Sequence, residues 1–193
     1  MVEKYLISLD DLVKFYPMSD IPQSRLDPYI IKAQELDLKP ILNDVLYYDF
    51  ISKFDDTGDA MYSEYQDLLN GTTYTYSGQT IEYPGLKPML CSFVMARFLP
   101  MQQTNINRYS ITVKTNQVSE PVQASQLTYM ANNMRADALA YQLQVEQYLQ
   151  QNPSTYPLYQ VAPQNVQGRT GVRFMNSAGS KRGTFGWWNG NFY

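Results

Sequence analysis

The chain has 193 residues, 44% of them apolar and only 17% charged, with 17 tyrosines and a net charge of −3. That length suits one domain with appendages and a single core. The sequence contains no histidine and one cysteine, Cys91, which excludes Ser-His pairs, histidine-liganded metals, thiolate zinc sites and any disulfide framework. No apolar run reaches the roughly 18 residues that cross a bilayer. The N-terminal MVEKYLISLDDL lacks the basic and apolar regions of a secretory leader, so neither membrane span nor export is expected. Charge is lopsided: residues 1–70 carry 14 acids and 6 bases, residues 71–151 carry 4 and 5, and residues 152–193 carry none and 4. Opposite potentials at the two ends suit contact between copies.

In chain order, residues 1–20 hold a short amphipathic helix over Ser8 to Phe15, with Ser8 as its cap, Asp10 and Asp11 in the first turn and Pro17 as its stop. Asp27-Pro28 reads as the start of a helix in which Ile30, Ile31, Ala33, Leu36 and Leu38 face a core. Pro40 is expected to break that helix and open another, to about Phe54, burying Ile41, Leu42, Val45, Leu46 and Phe50 with Tyr47 and Tyr48 at its flank. Ala60 to Leu69 reads as a third helix that ends at Asn70-Gly71.

Residues 72–84 then carry a β-hairpin signal, β-branched and aromatic residues on both sides of Ser77-Gly78. A lone hairpin is marginal in water, so it needs a surface to pack on, a neighbouring subunit being one candidate. Its Tyr74, Tyr76, Ile81 and Tyr83 are candidate contacts between copies. Leu86 to Leu99 is apolar nearly all round, as the central helix of a bundle should be, with Cys91 as a buried small hydrophobe and Arg97 paired or snorkelling.

Tyr109 to Lys114 alternates like an extended strand or arm, with Ile111 and Val113 as further candidate contacts. The longest helix follows, capped by Ser119 with Pro121 in its first turn. Leu127, Met130, Met134, Ala138, Tyr141, Val145 and Tyr148 form one stripe along it, and Ala136, Leu139, Ala140 and Leu143 widen its apolar face enough to meet both its own bundle and a partner. Residues 152–193 have six glycines, three prolines, both tryptophans of the chain and no period. They read as an extended docking arm that builds no core of its own. Its candidate partner-binding residues are Tyr156, Tyr159, Arg169, Arg173, Phe174, Lys181, Arg182, Phe185, Trp187, Trp188, Phe192 and Tyr193, the aromatic and arginine types that anchor interfaces.

The expected fold is therefore mainly α: a small helical bundle over residues 21–151 with a hairpin insertion and an extended strand, preceded by a short N-terminal helix and followed by a long non-helical tail. No catalytic, cofactor or metal constellation is expected. Asp55, Asp56 and Asp59 around Gly58 lack calcium-loop spacing and read as a solvated turn, and GTFGWWNG (183–190) lacks the lysine and following helix of a phosphate loop. Arg169, Arg173, Lys181 and Arg182 among aromatics could contact single-stranded nucleic acid, but their low density favours protein docking.

The segments DPYIIKAQELDLKPILNDVLYYDF (27–50), GLKPMLCSFVMARFL (85–99) and SEPVQASQLTYMANNMRADALAYQLQVEQYL (119–149), in that order, resemble the head-to-tail connector, or adaptor, proteins of tailed bacteriophages. The tyrosine- and glutamine-rich body with its aromatic tail is most similar to those of crAss-like phages. The resemblance implies a virion neck protein, assembled in the host cytoplasm as a dodecameric homo-oligomeric ring on the portal protein and beside other neck and tail rings. It implies that genome DNA passes through the channel without specific binding, and it implies no membrane. A hairpin and so long an arm depart from the plainest adaptors. The alternative is a soluble non-enzymatic interaction module, an assembly chaperone or regulator.

Overall fold

The computed structural model describes residues 4–18, 21–54, 62–101, 123–159 and, by backbone alone, 104–106 and 111–113. Helix dominates it, with two small antiparallel sheets. Helix α1 (Leu9–Phe15) starts as its sequence dictates: the Ser8 hydroxyl accepts the Asp11 N–H, and the Asp11 carboxylate accepts the Ser8 N–H in return. This capping box satisfies two donors that a helix start otherwise leaves open.

Helix α2 (Gln23–Ala33) begins earlier than Asp27-Pro28 suggests. Pro22 sits at its N-cap and Pro28 lies inside it. Asp27 caps nothing; its carboxylate accepts from the Gln23 amide at 2.8 Å. An internal proline costs about 3 kcal/mol of helix stability, and full burial of Leu26, Ile30 and Ala33 offsets it, Leu26 and Ile30 contributing about 2 kcal/mol each.

Pro40 likewise fails to break the chain. The backbone widens into a π turn (Gln34–Leu38), in which the Lys39 N–H reaches the Gln34 carbonyl, and runs directly into α3 (Lys39–Leu42). A π turn opens the space that the proline ring needs. The break falls at Asn43, whose φ of 63° and ψ of 162° is a region that only glycine occupies freely and that costs other residues about 1–3 kcal/mol. Two bonds hold it there: Oδ1 caps α4 (Asp44–Ser52) by accepting the Leu46 N–H, and Nδ2 donates to the Leu158 carbonyl at 3.2 Å. This restart rotates α4 from the expected register, so Tyr47 is buried and Val45 exposed.

Helix α5 (Ser63–Asn70) ends at Gly71, and strands β1 (Thr72–Tyr76) and β2 (Gln79–Tyr83) pair from Thr72↔Tyr83 to Tyr76↔Gln79. Ser77 and Gly78, both with positive φ, make the tight turn that matches strand twist. Helix α6 (Leu86–Phe98) is the axis of the core, every residue buried except Lys87 and Arg97. Arg97 pairs with Asp37 through two bonds of 2.8 Å, tying α6 to the π turn. A 3₁₀ turn (Leu99–Met101) contains Pro100.

Strands β3 (Thr104–Ile106) and β4 (Ile111–Val113) pair antiparallel; the partner strand of β4 had no sequence signal. Helix α7 (Ala124–Gln151) starts at Gln123 rather than at Ser119, and Ser119 and Pro121 lie outside the described residues. It packs along α6. The body does not stop where α7 ends: the turn at 152–159 folds back so that Tyr156 is 1% exposed and Tyr159 half-buried against the core.

Candidate functional site

Among the described residues no group of acidic or cysteine side chains could hold a metal ion, and no helix is long and apolar enough to cross a membrane. The Asp55, Asp56 and Asp59 turn lies outside the described residues. An open cleft of about 420 Å³ lies between α4, α5 and the 155–158 turn, lined by Leu46, Asp49, Lys53, Tyr62, Tyr65 and Leu158 among others. Its polar groups engage one another. The Tyr65 hydroxyl donates to the Asp49 carboxylate, and burial, then that bond, push the phenol well above its ordinary range. Lys53 reaches Asp49 at 4.0 Å and lies 5.1 Å from the Tyr62 ring centre.

The features most unlike an ordinary surface are apolar. Along α7, Ala131, Ala138, Val145, Tyr148 and Leu149 are buried, with Leu127, Met134 and Tyr141 half-buried beside them. At 3.6 residues per turn these share one face. Tyr129, Ala136, Leu139, Ala140 and Leu143 lie roughly 180° away on the same helical geometry and are all exposed, Tyr129 by 68% and Leu143 by 62%. Met130, expected on the inner stripe, is 41% exposed, and Ala131 faces inward in its place. The helix thus has two apolar faces, one on the core and one unpartnered within the described residues.

A second patch comes from the π turn and α4. Leu36, Val45 and Tyr48 are each more than half exposed. Lys39, one turn beyond Leu36, donates to the Tyr48 hydroxyl at 2.9 Å, holds its ammonium 4.6 Å from that ring's centre and reaches Asp44 at 3.6 Å, linking the two helical pieces. The helical period placed Leu36 and Val45 in the core, but the π turn shifts the register at Leu36 and the Asn43 restart shifts it at Val45, so both face outward instead.

The other tyrosines belong to the interior. Tyr83 stacks flat on Tyr148, ring centres 4.0 Å apart and planes within 5°. Tyr74 meets Tyr148 edge-on and donates to the Gln151 side chain at 2.7 Å. Tyr156 lies edge-on to Tyr148 and donates to the Glu64 carbonyl at 2.6 Å, and burial raises its phenol far above the ordinary range. The hairpin therefore packs on α7 of its own chain. Tyr83 and Tyr156, expected at interfaces between chains, are core residues, because each finds aromatic partners and an internal acceptor. Tyr74 is engaged within the chain, Ile81 is half-buried and Tyr76 is exposed by 48%. Ile111 and Val113 lie on β4. Arg169, Arg173, Phe174, Lys181, Arg182, Phe185, Trp187, Trp188, Phe192 and Tyr193 lie outside the described residues.

Among the described residues, fold and surface define a small helical body with a hairpin clasped to α7 and an apolar face of that helix left unpartnered. Residues 38–169 match a family of unknown function, DUF6712, and the chain belongs to that family. No curated protein and no solved structure matches it.

Proposed function

We propose that the chain is a non-enzymatic structural protein of a tailed-phage virion, a ring-forming head-to-tail connector that docks on the portal and forms part of the genome channel. The observation that carries the self-assembling part is the double-faced α7. Exposed Tyr129, Leu139 and Leu143, with Ala136 and Ala140, on a helix whose opposite face already completes the core, favour a protein partner. The resemblance to connectors supports the ring and its place in the neck. The acid-free segment 161–193, with Trp187, Trp188 and four bases, has the composition of a docking arm for portal or a neighbouring ring.

The mechanism is mechanical. Copies associate through the outer face of α7, the arm engages the adjacent ring, and a channel of low positive charge lets DNA slide rather than bind. Sedimentation of the full chain tests the assembly: a concentration-dependent oligomer is expected, and Leu143→Asp should return it to monomer with unchanged helical content. Co-purification with portal tests the arm; loss of the complex on deleting 161–193, or on replacing Trp187 and Trp188 with alanine, is the expected result. A wild-type chain that stays monomeric and is absent from virions overturns the reading in favour of an assembly chaperone or regulator.

A further inference from the structure

We infer that the outer stripe of α7 docks on the Leu36, Val45 and Tyr48 patch of a second copy, so that the contact is heterologous rather than two-fold. This rests on the self-assembly reading above. Two distinct apolar patches are exposed, on different elements. A ring needs two different surfaces per subunit, one for each neighbour, whereas a two-fold dimer needs one self-complementary surface.

The borders offer one opposite-charge pair, Arg135 and Glu35. Arg135 flanks the α7 stripe, is exposed and makes no ion pair among the described residues. Glu35, next to Leu36, is likewise exposed and unpaired there, whereas Asp44 beside Val45 is already reached by Lys39 at 3.6 Å, a base that also lies over the Tyr48 ring. Docking stripe on patch brings Arg135, the lone base of α7 beside its acids Asp137 and Glu146, toward Glu35, where opposite charge fixes register.

The test uses cysteine pairs in the full chain. The native Cys91 is fully buried and does not compete in cross-linking. One preparation carries Val45→Cys and the other Leu143→Cys; they are mixed and oxidised. A heterologous contact yields a disulfide between the two preparations, with neither cross-linking to itself. Self-cross-linking of Leu143→Cys, with no mixed product, means a two-fold α7 pair and overturns this inference while leaving self-assembly intact. A chain that never associates removes both. As a second measurement, Arg135→Glu or Glu35→Lys alone should weaken association about fivefold, the range of a rim ion pair, and the double exchange should restore it. Failure of the double variant to recover overturns the assigned register.

Discussion

Gly71 and Gly85 face each other across the base of the hairpin so closely that a Cβ on Gly85 would lie 2.5 Å from the Gly71 nitrogen, and a Cβ on Gly71 would lie 2.5 Å from the Tyr83 carbonyl oxygen. Both have positive φ, 96° and 87°. Gly71 ends α5 and Gly85 precedes α6, so this contact sets where the hairpin leaves the bundle. Alanine at either site meets backbone, not a movable side chain, and should lower stability by about 3 kcal/mol, strain and clash together. Gly78→Ala, with the same sign of φ but nothing within 4 Å, should cost only about 1 kcal/mol. Urea midpoints of the three variants measure the contrast.

The Asp37–Arg97 pair ties the π turn to the core helix. Its side chains are 14% and 23% exposed, and Asp37→Asn leaves a half-buried guanidinium without its carboxylate. A loss of about 2 kcal/mol is expected. Arg97→Lys should recover little of the two-pronged geometry. A double-mutant cycle in chemical denaturation isolates the coupling.

Acid should loosen the α1 end first. Burial of Asp11 pushes its pKa up, but bonds from the Ser8 backbone and from Lys87 (3.1 Å) outweigh it, and the net shift is downward. A carboxyl that holds its proton less tightly when folded contributes stability above the ordinary carboxylate pKa of about 4, and that contribution is lost as pH falls through the depressed folded value. Asp11→Asn should flatten this acid limb of a stability-versus-pH curve. It should also weaken the capping box at all pH values, by about 1 kcal/mol.

Truncation after Gln151 and truncation after Gln160 should differ sharply. The first removes Tyr156 from the core and the Leu158 carbonyl that holds Asn43, and should destabilise the body by about 3–5 kcal/mol, as large-to-small core changes do. The second keeps both groups and should cost less than the first by that amount. The same midpoint with either truncation would contradict the packing of the 152–159 turn.

Cys91 should be inert to thiol reagents in the native protein and react on unfolding, since it is fully buried and burial pushes its thiol up to about 12. Labelling rates with and without denaturant check this.

What was legible in the sequence was local. Ser8 with Asp11 three residues on, Asn70-Gly71, Ser77-Gly78 between alternating strands and the unbroken apolar run of α6 are short-range signals, and the structure places elements at each. The inner stripe of α7 was legible too, except at Met130. The prolines misled for the same reason: Pro28 and Pro40 oppose helix locally, but burial of Leu26, Ile30, Leu38 and Leu42 outweighs a cost of about 3 kcal/mol each, and the true break went to Asn43, held by a residue 115 positions away. Tyrosine was the least legible residue. Its ring suits a core and its hydroxyl suits a surface, so sequence alone does not tell Tyr83 and Tyr156, which find internal acceptors, from Tyr48 and Tyr129, which lie open. Composition and period determined that this chain is a helical body with more apolar surface than one core needs. Only the tertiary structure decided which apolar residues are left over, because that depends on which faces α6, the hairpin and the 152–159 turn happen to cover.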